Sequence, residues 1–143
     1  MLIDRSQQQV PAILLPPASY NADNTPVTVD LLGSLSATVL IMVGVGGITF
    51  SGTNKVEFVL SHSDDDVTYA PVTVDDVVGL ASVTSGIVRA LVAAHASPSV
   101  AEIGYKGRRR YLRLLADFSG THGTATPMAA VVVRGDLLKV DPV

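Results

Sequence analysis

The sequence has no cysteine and no tryptophan, few aromatic residues and little charge. Without cysteine, disulfides and thiolate metal sites are excluded, so stability must come from packing. Charged residues make up 16% of the chain, against about 25% in an ordinary soluble domain. Beside 48% hydrophobic residues this is a thin polar coat, and it points to surface that is hidden against partners. The formal net charge of −3 gives no global footprint for nucleic acid. No apolar run reaches the ~18 residues that span a bilayer; the longest, Ala37 to Phe50, is broken by Gly44, Gly46 and Gly47. Asp4, Arg5 and three glutamines stand where a signal peptide would need its apolar stretch. A soluble cytoplasmic product with no membrane partner is the expectation.

What is present is β-branched. A chain of 143 residues is a natural single-domain length. Residues 1–25 carry Pro11, Pro16 and Pro17 around Ile13, Leu14 and Leu15. Proline fixes φ and biases its predecessor toward extended geometry, so this segment reads as an extended N-terminal arm. Its apolar side chains must lie on the chain's own domain or on a neighbouring subunit. Residues 26–143 read as one all-β domain, a β-sandwich or jelly roll. Its strands are expected at Val27 to Leu32, Ala37 to Val43, Lys55 to Ser61, Val67 to Val74, Arg109 to Phe118 and Pro127 to Val133, bounded by Gly, Asn, Asp or Ser.

Period 2 is plain in two of these strands. Val56, Phe58 and Leu60 share one face of the first, opposite Lys55, Glu57 and Ser61. In the second, Leu112, Leu114, Ala116 and Phe118 face inward, and Tyr111, Arg113 and Asp117 outward. The stretches Thr38 to Val43 and Ala129 to Val133 are apolar on both parities, which calls for cover on both faces. Ser85 to Ala96 places Ile87, Leu91 and Ala94 at helical spacing among alanines; Ile87-Val88 and Leu91-Val92 also fit a strand plus loop, and one short helix is the expectation.

Candidate chemical sites are sparse. Gly44 to Gly47 (GVGG) follows an apolar strand, but a phosphate cradle needs a helix to open at once. Here Ile48, Thr49 and Phe50 read as continuing strand, so the glycines make a loop. Asp64, Asp65 and Asp66, with Asp75 and Asp76 beyond, lack the spacing that converges oxygens on a hard cation; a turn capped by its own aspartate fits better. His62, His95 and His122 stand singly, without the spacing of zinc ligands. No GxSxG elbow surrounds a serine. The expectation is a non-enzymatic protein without cofactor or metal. Arg108, Arg109 and Arg110, followed by Tyr111 and Arg113, form the strongest local charge feature. Arginine forks bind phosphate backbones or the carboxylates of a protein partner, or are simply solvated. The acidic balance argues against nucleic acid and leaves the other two.

The segments SHSDDDVTYAPV (Ser61 to Val72) and IGYKGRRRYLRLL (Ile103 to Leu115) resemble a pattern in small head proteins of tailed bacteriophages, their capsid decoration or cement proteins. The more specific match is Gly104, Tyr105, Gly107, Arg110, Tyr111, Leu112 and Arg113. The resemblance implies a jelly-roll module of the virion that binds the capsid exterior, pairs as a homodimer and locks neighbouring major capsid proteins together. On that reading Ile13, Leu14, Leu15, Arg108, Arg109, Arg110, Tyr111 and Arg113 would meet partners. A head-completion or tail subunit and a host-glycan-binding β-module are the alternatives.

Overall fold

The computed structural model describes residues 5–136. Ten strands run β1 (Gln9–Tyr20), β2 (Val29–Asp30), β3 (Ser36–Val43), β4 (Lys55–Ser63), β5 (Ala70–Pro71), β6 (Val77–Val78), β7 (Ile87–Leu91), β8 (Ser99–Tyr105), β9 (Tyr111–Ser119) and β10 (Thr126–Gly135). They form two sheets, ordered β1-β10-β3-β8-β6 and β2-β9-β4-β5, with β7 also paired to β4. The long pairings nest: β4 with β7, β3 with β8, β2 with β9 and β1 with β10, all antiparallel. A long hairpin is thus rolled up so that its arms alternate between two sheets, which is the jelly-roll arrangement of an all-β sandwich.

The core is the layer between the sheets. Val39, Ile41, Ile103, Ala130 and Val132 point into it from the first sheet; Val56, Phe58, Leu60, Leu112 and Leu114 meet them from the second. Each valine, leucine, isoleucine or phenylalanine among them contributes about 1.5–3 kcal/mol by leaving water, and the period-2 pattern of β4 and β9 made this layer legible.

Four sequence expectations are corrected. The N-terminal segment is not an arm laid over a finished domain: Gln9–Tyr20 is an edge strand hydrogen-bonded along β10, while the first four residues of the expected arm lie outside the described residues. Register shifts between Ile13 and Leu15 and again before Ala18 turn Leu14 and Leu15 inward together, both fully buried. A β-bulge of this kind breaks strict alternation. The expected helix at Ser85 to Ala96 is instead a turn followed by β7. Ser85 and Gly86 both take positive φ, and the Ile87 N–H bonds the Thr84 carbonyl, the geometry of a type I′ hairpin turn.

Val67 to Val74 is no strand. An aspartate-capped turn occupies its start, only Ala70–Pro71 pairs with β4, and a 3-10 turn at Val74–Asp76 follows. Ile48 to Phe50 is loop, with Phe50 buried in the core. The Gly47 amide donates to Thr126 Oγ1, and a Cβ on Gly47 would lie 2.3 Å from the Ala125 carbonyl oxygen. These glycines are needed for close packing of backbone on backbone.

Candidate functional site

The loop between β8 and β9 carries the arginine run to one end of the sandwich, where it faces the β2–β3 loop. A cavity of about 690 Å³ lies between them, lined by Leu31 to Ala37, Asp64, Tyr105, Lys106 and Arg108 to Arg110. Gly107 is required here, because a Cβ would lie 2.7 Å from the Tyr105 ring. Arg108 sits in the left-handed region at φ 61°. The Lys106 amide is tied to the Asp76 carbonyl and the Arg110 carbonyl to the Leu31 amide, so the loop is held at both ends.

The three arginines differ. Arg110 forks onto Asp30, Nε to Oδ1 at 2.9 Å and Nη2 to Oδ2 at 2.8 Å, and lies 4.9 Å from the centre of the Tyr111 ring. The hydrogen bond from Arg110 holds the Asp30 carboxyl below its ordinary value. Arg109 Nε stands 3.9 Å from Asp64 Oδ2 across solvent. Lys106 and Arg108 meet no carboxylate among the described residues. Between these cations the turn exposes Leu32 and Leu35, each 69% accessible. The corner therefore offers free positive charge beside bare apolar side chains.

Behind the loop lies a buried polar pair. His62 Nδ1 and Tyr105 Oη are 2.8 Å apart, and the Arg109 amide donates to the same Tyr105 oxygen at 3.2 Å. With the Tyr105 hydroxyl donating to His62 Nδ1, the histidine proton is on Nε2, which stands 4.0 Å from Asp76 Oδ2. Burial pushes the Tyr105 hydroxyl up to about 12. Burial also lowers His62, against the pull of Asp76. This pair fixes the root of the basic loop.

The other expected partner residues are scattered. Arg113 is on the outer face of the second sheet, its guanidinium 3.8 Å above the Tyr69 ring; the Tyr69 hydroxyl donates to Asp66. Ile13 is 54% exposed on the outer face of the first sheet. Leu14 and Leu15 cannot meet a partner, since both are sealed in the core; this corrects their assignment. The aspartates turn different ways. Asp64 faces Arg109, Asp65 accepts from the amides of Val67 and Thr68, and Asp66 serves Thr28 and Tyr69. No group of three metal-ligating side chains converges among the described residues. The histidines have separate partners: Tyr105 for His62, Ser99 for His95 and the Ser119 carbonyl for His122. The leucines of the β2–β3 turn were missed. The signal was there, in apolar residues flanking Gly33 where a turn should be polar.

A second surface is unlike the first. The outer face of the β1-β10-β3-β8-β6 sheet aligns Ile13 with Val131, Val131 with Leu40, and Leu40 with Glu102, with Met42 beside Val100 and Gly104 beside Val78. Glu102 is the one charge among these paired positions. At its end Pro17, Ala18, Met42, Pro98, Val100 and Pro127 help line a groove of about 630 Å³. The opposite outer face, on β4 and β9, carries Lys55, Glu57, Arg113 and Asp117.

No protein-family model matches this chain, and no curated protein matches it.

Proposed function

We propose that this chain is a structural protein of a tailed-phage virion, made in the host cytoplasm, that binds the outside of the assembled capsid and cements neighbouring major capsid proteins without catalysis. The observation that carries the reading is that the segment resembling phage head proteins, Ile103 to Leu115, is the one that builds the basic corner. Lys106, Arg108 and Arg109 surround a cavity floored by exposed leucines. An acidic, partly apolar patch on a shell subunit would complement it. Binding that favours the assembled shell over free subunits stabilises the shell by mass action, and pairing of two copies astride a symmetry axis multiplies the effect.

The test co-expresses the chain with the major capsid protein encoded nearest to it and isolates heads by sedimentation. The chain should sediment with heads, raise their resistance to heat and osmotic shock, and dissociate as salt rises. Replacing Lys106, Arg108 and Arg109 together with glutamine should weaken attachment at least tenfold. Heads that withstand both stresses equally well without the protein would overturn the cement role. Undiminished attachment of the triple variant would remove the corner from it.

A further inference from the structure

We propose that the outer face of the β1-β10-β3-β8-β6 sheet is a self-association surface, on which a second copy of this chain packs sheet against sheet. The inference names the surface for the pairing in the capsid reading and takes from that reading only the expectation of a pair.

The chemistry of the face excludes most occupants. Ile13 and Val100 are exposed on this face, and Leu40, Met42, Val131 and Val133 lie half-buried between them, so apolar side chains run across four strands. Ile13 and Val100 are 54% and 64% accessible. Among the described residues of this face a charged partner would find only Glu102 to pair with. A like surface, with the same scarcity of charge, loses nothing by burying this one, and an isologous pair is the commonest closed assembly. Glu102 is exposed on β8, off the centre of the sheet, where it can keep its water at the rim.

Size fits as well. Five strands spaced ~4.8 Å, with an eight-residue central strand rising ~3.3 Å per residue, project onto about 600 Å². Side chains standing on a pleated surface expose more than that projection, which brings the face near the ~800 Å² per partner of a stable dimer. Sheets stack readily face to face at ~10 Å.

The edges direct association to the face. The free edge of β1 carries Pro11, Pro16 and Pro17, which have no N–H to donate, and the opposite edge is the two-residue β6. The prolines disfavour strand addition along β1, and β6 caps Gly104 and Tyr105 at the other side. The other outer face is charged and needs no cover.

The test measures molar mass by sedimentation equilibrium over a wide concentration range, for the intact chain, for Val131→Glu and Leu40→Glu, and for Glu57→Gln on the opposite face as control. The chain should be dimeric, each glutamate variant should raise the dissociation constant at least 100-fold, and the control should not move it. Because the chain has no cysteine, Val131→Cys supplies a single thiol and a second readout independent of the charge variants' folding. Its reaction with a bulky maleimide should slow as concentration rises. A chain monomeric throughout overturns the proposal. So does a dimer that survives both glutamates, or a thiol equally blocked at every concentration, which would mean the chain's own residues cover the face. A dimer that attaches to no capsid would sink the capsid reading and leave this one standing. Attachment by a monomeric chain would do the reverse.

Discussion

Truncating Leu14 and Ile13 one at a time tests whether the N-terminal segment is part of the core. The two residues are adjacent, yet Leu14 is fully buried between the sheets and Ile13 is 54% exposed on the outer face. Leu14→Ala removes three methyl or methylene-sized groups from a site walled by both sheets, and such changes cost about 2–5 kcal/mol because the hole only partly closes. Ile13→Ala should cost well under about 1 kcal/mol in the monomer, as exposed substitutions do. At a urea slope of ~2 kcal/mol per molar, a 3 kcal/mol loss moves the midpoint by about 1.5 M, and the melting temperature falls by roughly 10 °C. Urea titrations of the three chains at one low, fixed concentration are sufficient. Leu15→Ala should resemble Leu14→Ala, and deletion of residues 1–17 should leave a chain that does not fold. If Leu14→Ala shifted the midpoint no more than Ile13→Ala, β1 would not be seated in the sandwich, and the extended arm read from the prolines would be right after all.

Three further outcomes are expected. Gly86→Ala should destabilise by about 2–4 kcal/mol, because φ is +78° and a Cβ would lie 2.8 Å from the Leu60 carbonyl oxygen and from Pro71; a loss below about 0.5 kcal/mol would contradict the turn. Burial lowers His62 below its ordinary 6.5, so the unfolded chain takes up this proton first. Its contribution to stability is therefore full above pH 6.5 and declines as the pH falls from there toward the folded value. Denaturation midpoints of the chain and of His62→Gln across that range should show the slope lost in the variant; an equal slope would assign it to other groups. The amides of Thr68 and Val67, then the Ser63 hydroxyl, lower Asp65 from 3.8 to about 2. The stability it lends is present above pH 3.8 and lost as pH falls toward 2, and an NMR titration of its carboxyl with a midpoint near 4 would refute the capped turn.

The sandwich was legible where one face is wet. In β4 and β9 a charged or polar side chain follows most core residues, Val59 and Leu115 being the exceptions, so period 2 stands out and the strand bounds agree to within two residues. Legibility failed where local chemistry was ambiguous. Ser85-Gly86 is a turn signal, but the alanines of the next ten residues outweighed it; β-branched Ile87 and Val88, paired to β4, follow the turn instead. In β8 the inward residues are Ala101, Ile103 and Tyr105, too varied in size to mark a face. In β1 the bulge sends Leu14 and Leu15 the same way, and no alternation survives to be read.

The arginine run was visible because charge is scarce in this chain, yet sequence could not tell Arg110, neutralised by Asp30 from 80 residues away, from Arg108, which meets no carboxylate among the described residues. That distinction belongs to topology: the nested pairing of β2 with β9 brings Asp30 opposite Tyr111 and leaves Arg108 in the loop beyond. The apolar face had a clearer signature, in strands apolar on both parities. One parity of Thr38 to Val43 and Ala129 to Val133 is required by the core. The other parity has no partner within the described fold, because both strands lie inside a sheet whose second face no element covers. Isolated apolar side chains on a surface need no explanation, but a contiguous set spanning neighbouring strands does. The row of half-buried Leu40, Met42, Val131 and Val133, between exposed Ile13 and Val100, is therefore the place where this sequence asks for a second molecule.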